Sequence, residues 1–247
     1  MIQYFEELDS TNKKIDELAR DGAEHGTVIV ADKQTAGKGR RGRTWESPAG
    51  TNLYFSILLR PEIEVEKAPM LTLIMAYSVA KVLQEEWKLE ASIKWPNDLV
   101  ISGKKICGIL TEMVLDGSQI GHVVVGTGIN VNVTEFPEEL SDKATSLYLE
   151  SKVIFDRKKL LNEVLKEFWK QYNNFLEVQD LSFMKEAYNE ILVNRGREVL
   201  VLEPGNEYQA VAHGINAVGE LLVEKNDGSK AAVYAGEVSV RGIYGYV

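Results

Sequence analysis

The sequence predicts an α+β fold in which a mixed central β-sheet with packed helices carries a small β-barrel at its C-terminal end. Two observations support this prediction. In residues 1–193, strand-like runs rich in branched and aromatic residues alternate with apolar or amphipathic helical runs. In residues 194–247, short strand-like runs alternate with turn signals such as Pro204-Gly205 and Asp227-Gly228. We therefore expect a large first domain, 1–193, and a small second domain, 194–247.

The elements of the first domain follow from local patterns. Residues 9–22 predict a helix that Asp9 or Ser10 caps and Gly22 ends, because short polar residues cap helix N-termini and glycine adopts left-handed backbone angles. Pro69 suits the first turn of a long apolar helix. Asp116-Gly117 predicts a hairpin. In chain order, the predicted strands are 27–34, 51–59, 91–95, 98–102, 105–115 and 119–133, and the further helices are 67–87, 156–177 and 180–192.

Composition and charge argue against several classes of protein. The 247 residues carry a net charge of −9, which is unlike a general nucleic-acid or membrane-surface binder. A single cysteine, Cys107, rules out an internal disulfide and favours a cytoplasmic location. The N-terminus does not look like a signal peptide, and the apolar run 68–80 is too short to span a bilayer. The three histidines lie far apart in sequence, so no zinc site is expected.

A glycine-rich basic loop, AGKGRRGR at 36–43, interrupts this acidic chain. Its glycines match G-x-G-x-x-G, but a dinucleotide fingerprint requires a helix directly afterwards, and here a proline, a glycine and a strand follow. A Walker motif requires lysine where Arg43 stands. The plain alternative is a solvated loop. Glycines that admit a ligand to the backbone, arginines that grip phosphate or carboxylate, and the aromatic plate of Trp45 favour instead a clamp over a nucleoside phosphate bonded to a carboxylate.

A second segment, KWPNDLVISGKKICGILTE at 94–112, brings charged groups to two turns. Asn97 and Asp98 follow Pro96, and Lys105 leads into the apolar strand ICGIL. A lysine in this position is more often a surface residue. The nearby Asp98, together with Gly108 three positions on, favours a pocket.

Two further segments complete the set. In GTGINVN at 126–132, the glycines give access to the backbone and the amide of Asn130 can pair with a nucleobase edge. Taken in isolation, this segment favours a bulged or tightly packed strand instead. A role as a helix cap is enough to explain DSTN at 9–12. The hydroxyls of its Ser-Thr pair can also hold a small polar head group.

Together the four segments resemble those of biotin–protein ligases. STN, Q-x-AGKGRRGR-x-W, KWPNDL…GKKICGIL-x-E and GTGINVN occur in that family's order and spacing, and the resemblance runs from Ser10 to the C-terminal GEVSVRG. It implies a catalytic domain like that of class II aminoacyl-tRNA synthetases and an SH3-like C-terminal barrel. It also implies the short, monofunctional type, without an N-terminal DNA-binding domain.

The resemblance further implies a two-step reaction. Biotin and Mg-ATP give biotinyl-5′-AMP and pyrophosphate, and a lysine of a biotin carboxyl carrier protein then takes the biotin and releases AMP. Arg40, Lys105 and Asp98 are the implied catalytic residues, and we hypothesise that Asp98 orients or deprotonates the acceptor lysine. The implied biotin contacts are Ser10, Thr11, Asn12, Gln34, Gly37, Lys38, Gly39, Arg40, Lys105 and Gly108, and the implied nucleotide contacts are Arg40, Arg41, Arg43, Trp45, Asn97, Lys105 and Asn130.

Some positions depart from the pattern or extend it. Family members often have arginine where this chain has Lys38, which keeps the charge and loses the bidentate fork. Glu237 and Arg241 resemble positions that face the ATP end. No metal site made of protein ligands is expected, and the resemblance implies Mg²⁺ together with ATP. The resemblance also implies a homodimer built by pairing sheet edges, and no binding to DNA or membranes.

Three alternatives stay open on the sequence. A lipoate–protein ligase would use the same adenylation chemistry on a different acid. A nucleic-acid-binding regulator would use the basic loop, against the net charge. A non-catalytic biotin-binding module would have no use for both Arg40 and Lys105.

Overall fold

The first part of the chain folds around a seven-stranded mixed sheet. The computed structural model describes residues 1–203, 205–235 and 239–242. The strands of this sheet are β1 Ile2–Leu8, β2 Val28–Gln34, β3 Leu53–Leu59, β4 Ser92–Lys94, β5 Asp98–Ile101, β6 Lys104–Asp116 and β7 Gln119–Ile129. Their order is β1-β2-β3-β7-β6-β5-β4. The β1–β2 pair is parallel and the others are antiparallel, so the predicted mixed sheet is confirmed.

Helices cover both faces of this sheet. They are α1 Thr11–Arg20, α2 Met70–Glu85, α3 Glu138–Ser141, α4 Leu147–Ser151, α5 Arg157–Val178 and α6 Lys185–Glu190. The main core joins α2 and α5 to odd-numbered β3 residues such as Phe55 and Ile57. A smaller core joins Ile15 and Ala19 of α1 to Leu58 of the same strand. Because successive strand residues point to opposite faces, α1 lies on the face opposite α2 and α5.

The start of α1 differs from the prediction in a way that matters for the site. Ser10 has the extended backbone of an N-cap residue, but its side chain makes no capping hydrogen bond. Asp9 instead accepts a hydrogen bond from the Ser10 N–H at 2.7 Å. The Ser10 hydroxyl is therefore not used by the helix. Gly22 follows the end of α1 with φ of +91°, as a residue without a side chain can.

The C-terminal part is a five-stranded antiparallel sheet. Its strands are β8 Glu198–Glu203, β9 Asn206–Ile215, β10 Leu221–Lys225, β11 Lys230–Val233 and β12 Ser239–Gly242, in the order β11-β10-β9-β8-β12. The predicted all-β texture is confirmed. Hydrogen bonds that join this sheet's connections to the first part include those from Trp95 Nε1 to the Gly219 carbonyl at 3.0 Å and from the Leu181 N–H to the Ala217 carbonyl at 2.7 Å.

Several elements were not predicted. β1 is an edge strand whose Ile2 and Tyr4 are exposed, and its run of acidic residues hides the strand pattern. The short helices α3 and α4 lie in a stretch without an apolar period. Within the described residues, no helix combines the length and apolarity that crossing a membrane requires.

Candidate active site

Two cavities meet where the basic loop crosses the sheet. The larger has a volume of about 610 Å³ and the smaller of about 50 Å³. The larger lies between the loop and the 94–98 turn, and the smaller lies over the glycines of β6 and β7. Both cavities are lined by Gly39, Arg40, Trp45, Asn97 and Lys105.

Most of the predicted site residues line these cavities. The smaller cavity is lined by Ser10, Thr11, Asn12, Gln34, Lys38, Gly39, Arg40, Trp45, Asn97, Lys105 and Gly108. The larger is lined by Gly39, Arg40, Arg41, Arg43, Trp45, Asn97, Asp98 and Lys105. Gly37 and Asn130 line neither.

Gln34 organises one end of the smaller cavity. Its Oε1 accepts hydrogen bonds from the Thr11 N–H at 2.9 Å and from the Thr11 hydroxyl at 3.2 Å. Its Nε2 donates to the Ser47 hydroxyl at 3.0 Å, which in turn donates to the Trp45 carbonyl at 2.9 Å. This chain of bonds fixes the orientation of the Gln34 amide and ties it to the loop.

Asn12 is buried at the same end of the smaller cavity. Its Nδ2 donates to Glu112 Oε2 at 2.6 Å and to the Leu110 carbonyl at 3.3 Å, and its Oδ1 lies 2.6 Å from the Ser56 hydroxyl. A Cβ added at Gly126 would overlap the Asn12 Oδ1. Glycine is therefore required for Asn12 to reach the sheet.

The basic loop is a short hairpin. The Trp45 N–H donates to the Gly37 carbonyl at 2.9 Å, and the Gly39 N–H donates to the Arg43 carbonyl at 2.7 Å. A Cβ at Gly37 would lie 2.5 Å from the Trp45 carbonyl oxygen, so the two strands of the hairpin can approach this closely only with glycine at position 37. Gly37 lines neither cavity. Its predicted contact with biotin stays a prediction.

Trp45 lies flat on a floor of glycines. A Cβ at Gly128 would lie 2.5 Å from Trp45 Nε1, and a Cβ at Gly108 would lie 3.0 Å from Trp45 Cζ3. The Lys105 ammonium lies 5.1 Å from the indole centroid, within cation–π range. The indole thus occupies the space over the glycines, which is why the smaller cavity has a volume of only about 50 Å³.

The two predicted catalytic cations have acceptor partners. The ammonium of Lys105 lies 2.6 Å from Asp98 Oδ1. Arg40 donates to Asn97 Oδ1 at 3.1 Å and to the Ala235 carbonyl of the C-terminal part at 3.2 Å. Burial lowers the pKa of Arg40 from its ordinary value, yet a guanidinium stays charged at neutral pH. Both cations therefore stand ready at the junction of the cavities.

Asn130 has structural partners. It is buried, its Nδ2 donates to the Thr145 carbonyl at 3.1 Å, and its Oδ1 accepts from Asn52 Nδ2 at 3.5 Å. Its amide holds the segment between β7 and α4. The predicted nucleobase contact stays a prediction, and it would need Asn130 to change partners.

The structure adds residues that the sequence analysis missed. Ser47 from the connection between β2 and β3 holds Gln34, and Ser56 of β3 and Glu112 of β6 hold Asn12. The larger cavity is also lined by Thr44, Lys94, Trp95, Pro96, Asp142, Lys143 and Val240. Two signals were available: the polar Ser56 inside the apolar strand LYFSILL, and Glu112 at the end of the motif GKKICGIL-x-E.

Two predicted residues fall outside this description. Glu237 lies outside the described residues, and so does the side chain of Arg241. Across 1–203, 205–235 and 239–242, no three His, Cys, Asp or Glu side chains form a group that could hold a metal ion.

Two family models match the chain. The one described as "Biotin/lipoate A/B protein ligase family" matches residues 4–130, and the one described as "Biotin protein ligase C terminal domain" matches residues 196–241.

Individual relatives match over nearly the whole chain. The bifunctional ligase/repressor BirA of Bacillus subtilis is 37% identical over 239 residues, which cover 96% of this chain and 73% of the relative. The biotin–[acetyl-CoA-carboxylase] ligase of Mycobacterium tuberculosis is 30% identical, with 93% of this chain and 85% of the relative covered. A solved structure of the biotin protein ligase from Aquifex aeolicus in complex with biotin and ATP is 34% identical, with a TM-score of 0.85 and 98% of each chain covered.

Proposed function

The chain belongs to the biotin/lipoate A/B protein ligase family, and from this premise we propose that it is a biotin–protein ligase. It activates biotin with Mg-ATP to biotinyl-5′-AMP and pyrophosphate. It then transfers the biotinyl group to a lysine of a biotin carboxyl carrier protein, forming an amide bond and releasing AMP. The names of the relatives and the complex of the Aquifex aeolicus protein with biotin and ATP support this substrate pair.

The observation that carries the proposal is that Arg40 and Lys105 line both cavities. With biotin in the smaller cavity and ATP in the larger, the biotin carboxylate and the α-phosphate meet between these two cations. Attack of one anion on another is opposed by their repulsion. Fixed cations at the meeting point lower this repulsion and stabilise the charge that develops on the α-phosphate.

Trp45 must move for biotin to enter. The smaller cavity of about 50 Å³ is no larger than a few water molecules, because the indole covers Gly108 and Gly128. In the described residues, the buried Trp45 Nε1 has no hydrogen-bond partner, which makes this resting position costly. We infer that biotin displaces the indole, which then packs against the nucleotide as the loop closes.

Asp98 has a role that changes between the two steps. Before the first step it pairs with Lys105. Once the Lys105 ammonium turns to the phosphate, the Asp98 carboxylate loses this partner beside the larger cavity, which it lines. There it accepts a proton from, or orients, the acceptor lysine. That lysine must be neutral to attack the mixed anhydride.

Mg²⁺ enters as part of the nucleotide substrate. Asp98 and Asp142 line the larger cavity, and Mg²⁺ is commonly held by one or two carboxylates together with substrate phosphates. The ion supplies neutralisation of the pyrophosphate leaving group. Arg41, Arg43 and Lys143 add cationic side chains to the same cavity.

The experiment that tests this function is ATP–pyrophosphate exchange with Mg²⁺ in the presence of biotin, lipoate or octanoate. Exchange with biotin alone is expected. Exchange with lipoate alone would make the chain a lipoate ligase with the same adenylation chemistry. No exchange with any acid, in protein shown to be folded, would overturn the enzymatic function.

We also propose a homodimer and a cytoplasmic location. On its β5 side, β6 has strand partners up to Gly108 in the described residues, and Met113 and Leu115 beyond it are exposed. Such an edge can pair with a second copy. Cys107 is a free, buried cysteine, and burial raises the pKa of its thiol. A free cysteine is typical of proteins in a reducing compartment. Sedimentation equilibrium of the free and biotin-bound protein tests the dimer.

The finer fold assignments remain proposals as well. A boundary at residue 194 is supported by the separate sheet β8–β12 and by the match of the second family model to residues 196–241. A likeness of 1–193 to class II synthetases, an SH3-like closure of the C-terminal sheet and the absence of DNA binding stay predictions. A gel shift at physiological salt tests the last of these.

A further inference from the structure

Glu112 contacts a predicted site residue from a strand that is remote in sequence and on the same face of the sheet as the glycines of the smaller cavity. It lies on β6, and its Oε2 accepts a hydrogen bond from Asn12 Nδ2 at 2.6 Å across a sequence separation of 100 residues. Asn12 lines the smaller cavity and is only 6% exposed. The contact therefore joins an otherwise unassigned carboxylate to the head-group end of the site.

The chemistry of this contact fixes the orientation of the Asn12 amide. An ionised carboxylate and a backbone carbonyl can only accept hydrogen bonds. Both Glu112 and the Leu110 carbonyl face the same end of the amide, at 2.6 and 3.3 Å, so that end must be the NH₂ group. The hydroxyl of Ser56 on the other side can donate or accept and does not decide the orientation. Oδ1 must therefore point away from Glu112, over Gly126.

Asn12 offers an amide-oxygen acceptor at this end of the cavity. The nearby Gln34 Oε1 already accepts two hydrogen bonds from Thr11, which uses both lone pairs. Asn12 Oδ1 has one partner, Ser56, and keeps a second lone pair. A head group that donates N–H groups would find its acceptor here.

We infer that Glu112 is a positioning residue that sets head-group specificity. By holding the Asn12 amide in one orientation, it presents an acceptor oxygen to the cavity. That oxygen favours a cyclic urea, which donates N–H groups, over a dithiolane or a plain acyl chain, which donates none. This inference rests on the proposed use of biotin and adds the residue that selects it.

A polarity exchange between the two residues tests this inference. Glu112→Gln can both donate and accept, so it no longer fixes the amide, and we expect the KM for biotin to rise about tenfold while kcat and the KM for ATP stay within about twofold. Asn12→Asp alone puts two carboxylates in contact and is expected to raise the KM for biotin at least about a hundredfold.

The double variant restores a donor–acceptor pair with the polarity reversed. The amide introduced by Glu112→Gln donates to the carboxylate introduced by Asn12→Asp, and the other oxygen of that carboxylate still accepts. We expect the double variant to recover about tenfold of the loss caused by Asn12→Asp.

Biotin dissociation constants from calorimetry without ATP give a readout independent of turnover. Glu6→Gln, at an exposed position of β1, is the matched control and should leave all values unchanged. No recovery in the double variant, or an equal effect of Glu112→Gln on kcat and on both KM values, would overturn the inference. If the wild-type protein instead binds no biotin, the proposed function itself fails, which this comparison distinguishes from loss of the Glu112 effect alone.

Discussion

Lys105 and Asp98 form an ion pair in the candidate site, with 2.6 Å between Nζ and Oδ1. The two side chains are only 23% and 15% exposed, so water screens their attraction incompletely. Each side chain therefore offsets the charge of the other until the phosphates of ATP replace Asp98 as the partner of Lys105. The pair links the two steps of the proposed reaction, since the cation that serves the first step holds the carboxylate that serves the second.

Replacing Lys105 by methionine is predicted to slow formation of biotinyl-5′-AMP. Loss of one cation that stabilises the developing phosphate charge should cost about 3 kcal/mol in the barrier, or about a hundredfold in rate. Single-turnover formation of the adenylate measures it. Lys104→Met is the control, because Lys104 bonds the Ser141 carbonyl at 2.8 Å and lines neither cavity. A Lys105 variant with the wild-type rate would remove this residue from the chemistry.

Replacing Asp98 by asparagine is predicted to slow the second step more than the first. The amide keeps the shape of the carboxylate but cannot take a proton, so the acceptor lysine stays protonated longer. Preformed biotinyl-5′-AMP mixed with a biotin carboxyl carrier domain gives the transfer rate alone. We expect a loss of about tenfold to a hundredfold in this rate and a smaller loss in adenylate formation. Equal losses in both steps would show that Asp98 only holds Lys105.

The sequence predicts the scaffold well where one local signal decides the structure. Asp116-Gly117 predicts the hairpin that joins β6 to β7, and the apolar period of 156–177 predicts α5. The strand β1 was not predicted because its partner β2 supplies the pairing, while its own sequence IQYFEEL lacks a clear alternation of apolar and polar residues.

The site residues divide in the same way. Segments such as 36–43 carry their chemistry in consecutive residues, so composition reveals them. Glu112 and Ser56 act on Asn12 across 100 and 44 residues, and no local pattern reports a contact that the sheet order creates. Asn130 shows the converse, because its amide makes structural hydrogen bonds at a position that the family resemblance assigns to a nucleobase.

Substituting alanine for Gly126 is predicted to weaken biotin binding selectively. The new Cβ would overlap Asn12 Oδ1, so Asn12 must leave the floor of the smaller cavity. We expect the KM for biotin to rise at least about tenfold, with the KM for ATP little changed. Exchange kinetics against each substrate measure both. Gly121→Ala on the same strand is the control, since its nearest neighbour would be the Val114 carbonyl at 3.3 Å. Equal effects of the two substitutions would point to a general disturbance of β7.

His25 is predicted to make the fold less stable in mild acid. Its Nδ1 accepts a hydrogen bond from the Arg60 N–H at 3.0 Å, and its ring packs against Trp169 and Tyr172 with centroids 5.5 and 5.7 Å away. Burial, and then the charge of Arg60, lower the pKa of His25. Protonation would also remove the lone pair that Arg60 uses. The folded state therefore prefers the neutral ring.

The sign of the pH dependence follows from this preference. The unfolded chain takes up a proton at the ordinary histidine pKa of about 6.5, and the folded chain takes it up at a lower pH. The contribution is thus complete above about pH 6.5 and is lost as the pH falls through the folded-state pKa. Thermal unfolding between about pH 7.5 and pH 5 should show a midpoint that drops less in His25→Gln than in the wild-type protein. His213→Gln, at an exposed position of β9, controls for loss of an imidazole. A drop as steep in His25→Gln as in the wild-type protein would assign the acid sensitivity to other groups.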